Sequence, residues 1–268
     1  MNALEKLNRR AQAANSLLCV GLDSDFSQLP ESFTHYEYPL FVFNRWIIEQ
    51  THEFVCAFKA NMAFYEARGE RGFNSLRQTL EYLHVNHPDI LTICDGKRGD
   101  IGSTSDAYAR AVFDYFGFDA VTLHPYLGRE ALEPFLSRAD KGCIVLCRTS
   151  NPGAREFQDL NVGGKPLWQA VAEHVRDDWN TNGNCMLVVG ATYPDELRQV
   201  RALVGDMPLL VPGIGAQGGD VQAAVSAGLD SAGRGLIIST SRGVIFADNP
   251  AAAARELRDS INVHRPAV

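Results

Sequence analysis

The stretch ILTICDGKRGDIGSTSDAYARAVFDYFGFDAVTLHPY, residues 90–126, holds two apolar runs, ILTICDGK (90–97) and AVTLHPY (120–126), on either side of a helically spaced segment, TSDAYARAVFDYFG (104–117). A buried parallel strand reads as a short continuous apolar run, and a crossover to its neighbour needs a helix. The same unit recurs outward in both directions. Further runs are LLCVGLD (17–23), FVCAFKAN (54–61), CIVLCRT (143–149), CMLVVGA (185–191), PLLVPGI (208–214) and GLIIST (235–240). Helical spacing returns at 43–54, 73–86, 167–179, 194–205, 219–228 and 250–264. Eight such strands alternating with helices in 268 residues predict an α/β fold, a single (β/α)8 TIM barrel.

No linker or shift in composition divides the chain, so residues 1–268 read as one domain. Its longest connection, SDFSQLPESFTHYEYPL (24–40), lacks clear periodicity and reads as an inserted loop or lid. A formal charge of -7 provides no general attraction for polyanions, which argues against nucleic acid or an anionic membrane as partner. The N-terminus has no apolar run of signal-peptide length and no stretch is long enough to span a bilayer, so a cytoplasmic protein is expected. Five of the six cysteines, Cys19, Cys56, Cys94, Cys143 and Cys185, sit in apolar runs as small buried thiols. Cys147 follows Cys143 without the second ligand pair that zinc would need.

In this barrel the C-terminal ends of the strands form the active face. Reading those ends in order yields Asp23, Lys59 with Asn61, Asp95 with Lys97, His124, Thr149 with Ser150, Gly190, Pro212 to Gly215, and Thr240 to Arg242. Charge gathers at the first three ends, and glycines with one arginine at the last two. If the third strand stays extended through Gly96, Asp95 and Lys97 project to the same side. Any one pair could be an ion pair closing the barrel; four alternating charges at adjacent ends favour a reaction centre. VPGIGAQGGD (211–220), which includes Gln217 and Gly218, opens a helix at Asp220, and Arg242 stands just past the eighth strand. Loops seven and eight are the usual phosphate position of this barrel. His124 reads equally as a functional group or as a histidine bonded to backbone; the other histidines read as surface or capping residues. Ser150 lies in no G-x-S-x-G elbow, which disfavours a serine nucleophile.

FKAN (58–61), DGKRGDIGST (95–104), TSNPGA (149–154), PGIGAQGGD (212–220) and SRGVIFADNP (241–250) resemble orotidine 5'-phosphate decarboxylases, in particular a larger bacterial subgroup. The resemblance implies a cofactor-free, metal-free carboxy-lyase of pyrimidine biosynthesis that converts orotidine 5'-phosphate to UMP and CO2. Lys97 would be the proton donor to C6, Asp95 would face the leaving carboxylate, and Lys59 and Asp23 would contact the ribose. Asp100, Ile101 and Thr104 would reach the active site of the other subunit of a homodimer. Ser150 would bond the pyrimidine, while Gln217 and Arg242, with Pro212 and Gly218 in the same strand-seven loop, would hold the substrate at its phosphate end. Many family members have Gly-Arg-Ser where this chain has Ser241-Arg242-Gly243.

Three other readings fit parts of the pattern. Asp95 and Asp100 could ligate Mg2+ in a phosphosugar lyase or isomerase, although Lys97 between them opposes a cation. Lys59 or Lys97 could form a Schiff base. A non-catalytic phosphoribosyl-binding protein would leave the four charges unexplained.

Overall fold

The computed structural model describes residues 1–214 and 219–266. Its centre is a closed barrel of eight parallel strands, as expected: β1 (Leu18–Gly21), β2 (Ala57–Asn61), β3 (Leu91–Arg98), β4 (Ala120–Leu123), β5 (Gly142–Arg148), β8 (Cys185–Val189), β9 (Leu209–Pro212) and β10 (Leu236–Thr240). β10 closes on β1 through Leu18↔Ile238, Cys19↔Ser239 and Val20↔Thr240. Every residue of β1 and β8 is buried. With side chains packed on both faces, such strands have no reason to alternate in polarity.

The helices follow the predicted periodicity and carry their own stop and start signals. Asp220 caps the helix Val221–Gly228 by accepting from Ala223 N at 2.7 Å, and Asn249 caps Pro250–Val263 by accepting from Ala252 N at 3.0 Å. The helix Arg129–Leu136 was not anticipated, and it runs through Pro134. A local reading ends a helix at an internal proline. Here burial of Ala131, Leu132, Phe135 and Leu136 against the core outweighs that cost.

Residues 24–40, read from the sequence as an inserted loop or lid, hold short regular elements. They contain a 3-10 turn (Phe26–Gln28) and a helical turn (Glu31–Thr34), and the helix Pro39–Thr51 already begins inside them. Phe33 packs edge-on to Phe43 at 5.2 Å, and the Arg68 guanidinium lies 3.8 Å over the Phe26 ring. The segment is held against the helix Pro39–Thr51 and against Arg68 by ring contacts too widely spaced in sequence to leave a helical period.

A second unanticipated element is the hairpin of β6 (Asn161–Val162) and β7 (Lys165–Pro166), turned by Gly163 and Gly164 at φ +62° and +91°. Two consecutive positive φ values suit a two-residue hairpin, and glycine adopts them without strain.

Candidate active site

Parallel register brings the charged strand ends together. Gly21 of β1 lies level with Lys59 of β2, and Asn61 of β2 level with Asp95 of β3. Asp23, two residues past Gly21, accepts from Asn61 N at 3.3 Å, which turns its carboxylate toward Lys59. The result is a row of alternating charge. Lys59 Nζ stands 3.9 Å from Asp23 Oδ1 and 2.9 Å from Asp95 Oδ2, and Lys97 Nζ stands 2.6 Å from Asp95 Oδ1.

The row is graded in burial. Lys59 retains only 5% of its surface, whereas the Lys97 side chain is half exposed. Burial opposes the charge on Lys59, yet the carboxylates of Asp23 and Asp95 overcome it and raise its pKa well above the ordinary lysine value. Burial likewise opposes the Asp95 carboxylate, and Lys59 and Lys97 hold its pKa far below the ordinary range. Lys59 and Asp95, the two inner members of the row, are therefore held in their charged forms at neutral pH.

The expectation of an extended β3 is corrected. Its pairing with β4 runs Ile93↔Ala120 and Cys94↔Val121, then slips to Arg98↔Leu123, and Lys97 has φ +46°. Asp95 and Lys97 meet because the chain bulges between them, not because the strand alternates.

The row lines one side of a cavity of about 510 Å³ at the C-terminal end of the barrel. Ser150, Pro212 and Arg242 line the same cavity, and Leu146, Val188 and Leu210 supply apolar wall. The Arg242 carbonyl accepts from Phe246 N at 3.3 Å, but its guanidinium makes no hydrogen bond or ion pair with another of the described residues, which leaves it available to a ligand. Gln217 and Gly218 lie outside the described residues. The segments flanking them pair through the bridge Ile214↔Gly219, with Gly219 N donating to Gly213 O at 3.0 Å.

Asp100, Ile101 and Thr104 are not brought into this cavity. The Asp100 carboxylate accepts from Ile101 N at 2.8 Å, Ile101 is 61% exposed, and Thr104 is exposed on the helix Gly102–Arg110. His124 takes its bland alternative: Nε2 lies 2.9 Å from Gly99 O, and the residue does not line the cavity. Among the other histidines, His52 and His87 are ring neighbours with centroids 4.4 Å apart, a pairing their spacing did not reveal.

Thr122 and Gln158 are among the lining residues that the sequence did not single out. Thr122 lies mid-strand in β4, and Gln158 ends a short helix, where its Oε1 accepts from Thr149 N at 2.8 Å. Neither sits at a strand end, so the listing of strand ends could not find them. The described residues contain no group of three or more His, Cys, Asp or Glu placed to hold a metal ion, and Asp95 is enclosed by two ammonium groups. This donor set does not fit the Mg2+ reading.

Fold and site define a (β/α)8 barrel with an acid–lysine row lining the cavity at the C-terminal end of its strands. Comparison with known proteins narrows this. Residues 16–257 match the Orotidine 5'-phosphate decarboxylase / HUMPS family. The orotidine 5'-phosphate decarboxylase of Cellvibrio japonicus (strain Ueda107) is 49% identical over 274 residues, covering 99% of this chain and 100% of the relative. The structure of Leishmania donovani OMP decarboxylase superposes with a TM-score of 0.90 at 41% identity, covering 100% of both chains. Leishmania donovani UMP synthase gives a TM-score of 0.91 at 42% identity, covering 98% of this chain and 56% of that one. The chain belongs to the orotidine 5'-phosphate decarboxylase / HUMPS family.

Proposed function

We propose that this chain decarboxylates orotidine 5'-phosphate to UMP and CO2 in pyrimidine biosynthesis. The observation that carries the reading is one cavity lined by the Asp23–Lys59–Asp95–Lys97 row and by Arg242. Full-length similarity to proteins named as orotidine 5'-phosphate decarboxylases supports it.

Loss of CO2 from C6 of the pyrimidine leaves an electron pair in an orbital the ring cannot delocalise, so stabilisation must come from placed charge and a timely proton. Lys97 supplies both. Its ammonium faces the developing anion, the C6–carboxylate bond breaks toward CO2, and an N–H proton passes to C6. The amine that remains is half exposed and recovers its proton from water.

Asp95 repels a substrate carboxylate ~4 Å away by about 4 kcal/mol at an effective dielectric near 20. Lys59 and Lys97 at 2.9 and 2.6 Å offset most of that field, so the geometry favours Asp95 chiefly as the group that aims Lys97. Asp23 and Lys59 would bond the ribose hydroxyls, and Ser150 the pyrimidine. Arg242, with Gln217 and the strand-seven loop containing Pro212 and Gly218, would grip the phosphate far from C6 and contribute the binding energy that holds the substrate against the row.

Asp100, Ile101 and Thr104 lie outside their own chain's cavity, which supports a homodimer in which they complete the neighbouring site. A cytoplasmic setting goes with this reading; among the described residues no helix is long and apolar enough to cross a membrane.

The test follows the loss of orotidine absorbance with wild type and Lys97→Ala, each before and after exhaustive chelation. Turnover by wild type that survives chelation and falls by at least about 10²-fold in the variant, the scale of a lost general acid, is the expected result. Binding without turnover by wild type would instead identify a phosphoribosyl-binding protein, and activity lost on chelation a metal-dependent lyase.

A further inference from the structure

Lys97 holds a backbone conformation that a residue with a side chain seldom adopts, at φ +46°. Something must hold it there, because an extended β3 would direct the ammonium elsewhere. Across the register slip, three positions of β3, Asp95, Gly96 and Lys97, have no ladder partner on β4. The facing residue on β4 is Thr122, which is 2% exposed and lines the cavity.

Its hydroxyl occupies the gap in the ladder. Thr122 Oγ1 accepts from Lys97 N at 2.9 Å, and its proton is directed to Asp95 Oδ1 at 3.1 Å, with Cys94 O more distant at 3.5 Å. A hydroxyl has one proton and two lone pairs, so it can make both bonds at once. It thus ties the main chain of the lysine to the carboxylate that its own ammonium grips at 2.6 Å, and the three groups close a ring around the bulge.

We propose that Thr122 is a positioning residue for the decarboxylation inferred above, on which this inference rests: its hydroxyl locks the β3 bulge that aims Lys97 at the reacting carbon. It acts through Lys97 and Asp95 and touches no substrate atom in this role. Valine at this position would preserve shape and lose both hydrogen bonds. Serine would keep the hydroxyl and lose a methyl.

The experiment measures kcat and KM for orotidine 5'-phosphate, together with the affinity for UMP, in wild type, Thr122→Val and Thr122→Ser. Thr122→Val should lower kcat by about 10²-fold, the scale of a ~1 Å misplacement of a reacting group. UMP affinity and KM should stay within about threefold, because the phosphate end is untouched, and Thr122→Ser should recover kcat to within about tenfold of wild type. Should the valine variant fail to fold, Thr122→Cys, with a thiol of similar size and weaker hydrogen bonding, is read in its place. The proposal is overturned if the valine variant turns over like wild type, if serine is as impaired as valine, or if UMP affinity falls in step with kcat. Absence of turnover in wild type would overturn the functional reading itself, which keeps the two failures distinct.

Discussion

At the scale of single residues, the row of charges ties the site to the stability of the fold. Asp95 is mostly buried, and its folded-state pKa is depressed by the two lysines. A depressed carboxylate contributes stability that is fully present above its unfolded pKa, near 4, and drains away as pH falls toward the folded value. Lys59 is the opposite case: its raised pKa keeps its contribution intact below an unfolded value near 10.4, so only strong alkali removes it. Stability measured by urea unfolding from pH 7 to pH 2.5 should therefore fall less steeply in Asp95→Asn than in wild type below about pH 4. Parallel acid limbs in the two proteins would show that Asp95 is not held ionised by its neighbours. The identities of these residues were readable from the chain because charges at the ends of apolar runs are conspicuous. Thr122 was not, since a threonine inside a strand reads as β-branched packing.

At the scale of elements, the site depends on strand ends meeting without intervening side chains. Gly190, at the end of β8, faces the start of the loop after β5: a Cβ there would lie 2.8 Å from Ser150 Cβ and 3.0 Å from Ser150 N. Backbone and side chain of Ser150 would both have to shift. Gly190→Ala is thus expected to cost about 1–3 kcal/mol in stability by overpacking. If Ser150 bonds the pyrimidine as proposed, the change should also lower kcat/KM by about tenfold or more. Thermal melting and steady-state kinetics on the same preparation check both; unchanged kinetics in a destabilised protein would remove Ser150 from the substrate's contacts. Two of the elements not anticipated from the sequence share one cause. The helix Arg129–Leu136 with its internal Pro134, and the folded turns within 24–40, owe their structure to surfaces contributed from elsewhere in the chain. A local pattern does not contain those surfaces.

At the scale of the whole molecule, Asp100, Ile101 and Thr104 bear on assembly. They follow β3 directly yet stay out of the cavity that β3 builds. If they complete a neighbour's site, then Lys97→Ala and Asp100→Ala, each inactive alone, should complement when mixed and allowed to reassociate. Random pairing of equal amounts makes about half the dimers mixed, each with one intact site, so about a quarter of wild-type activity should return. Mixtures that reassociate and stay inactive would place each site within a single chain.

Taken alone, the order of residues determined the barrel and the charged strand ends, because burial on both faces makes a parallel strand continuously apolar and leaves polarity only where it stops. It also pointed to Arg242, which lines the same cavity as the row. Only the tertiary structure decided how Asp95 meets Lys97. That contact depends on a bulge and a left-handed residue held by a hydroxyl from β4, a strand more than twenty positions away. Sequence pattern records which residues are buried along an element; it does not record which neighbouring strand supplies the hydrogen bond that bends it.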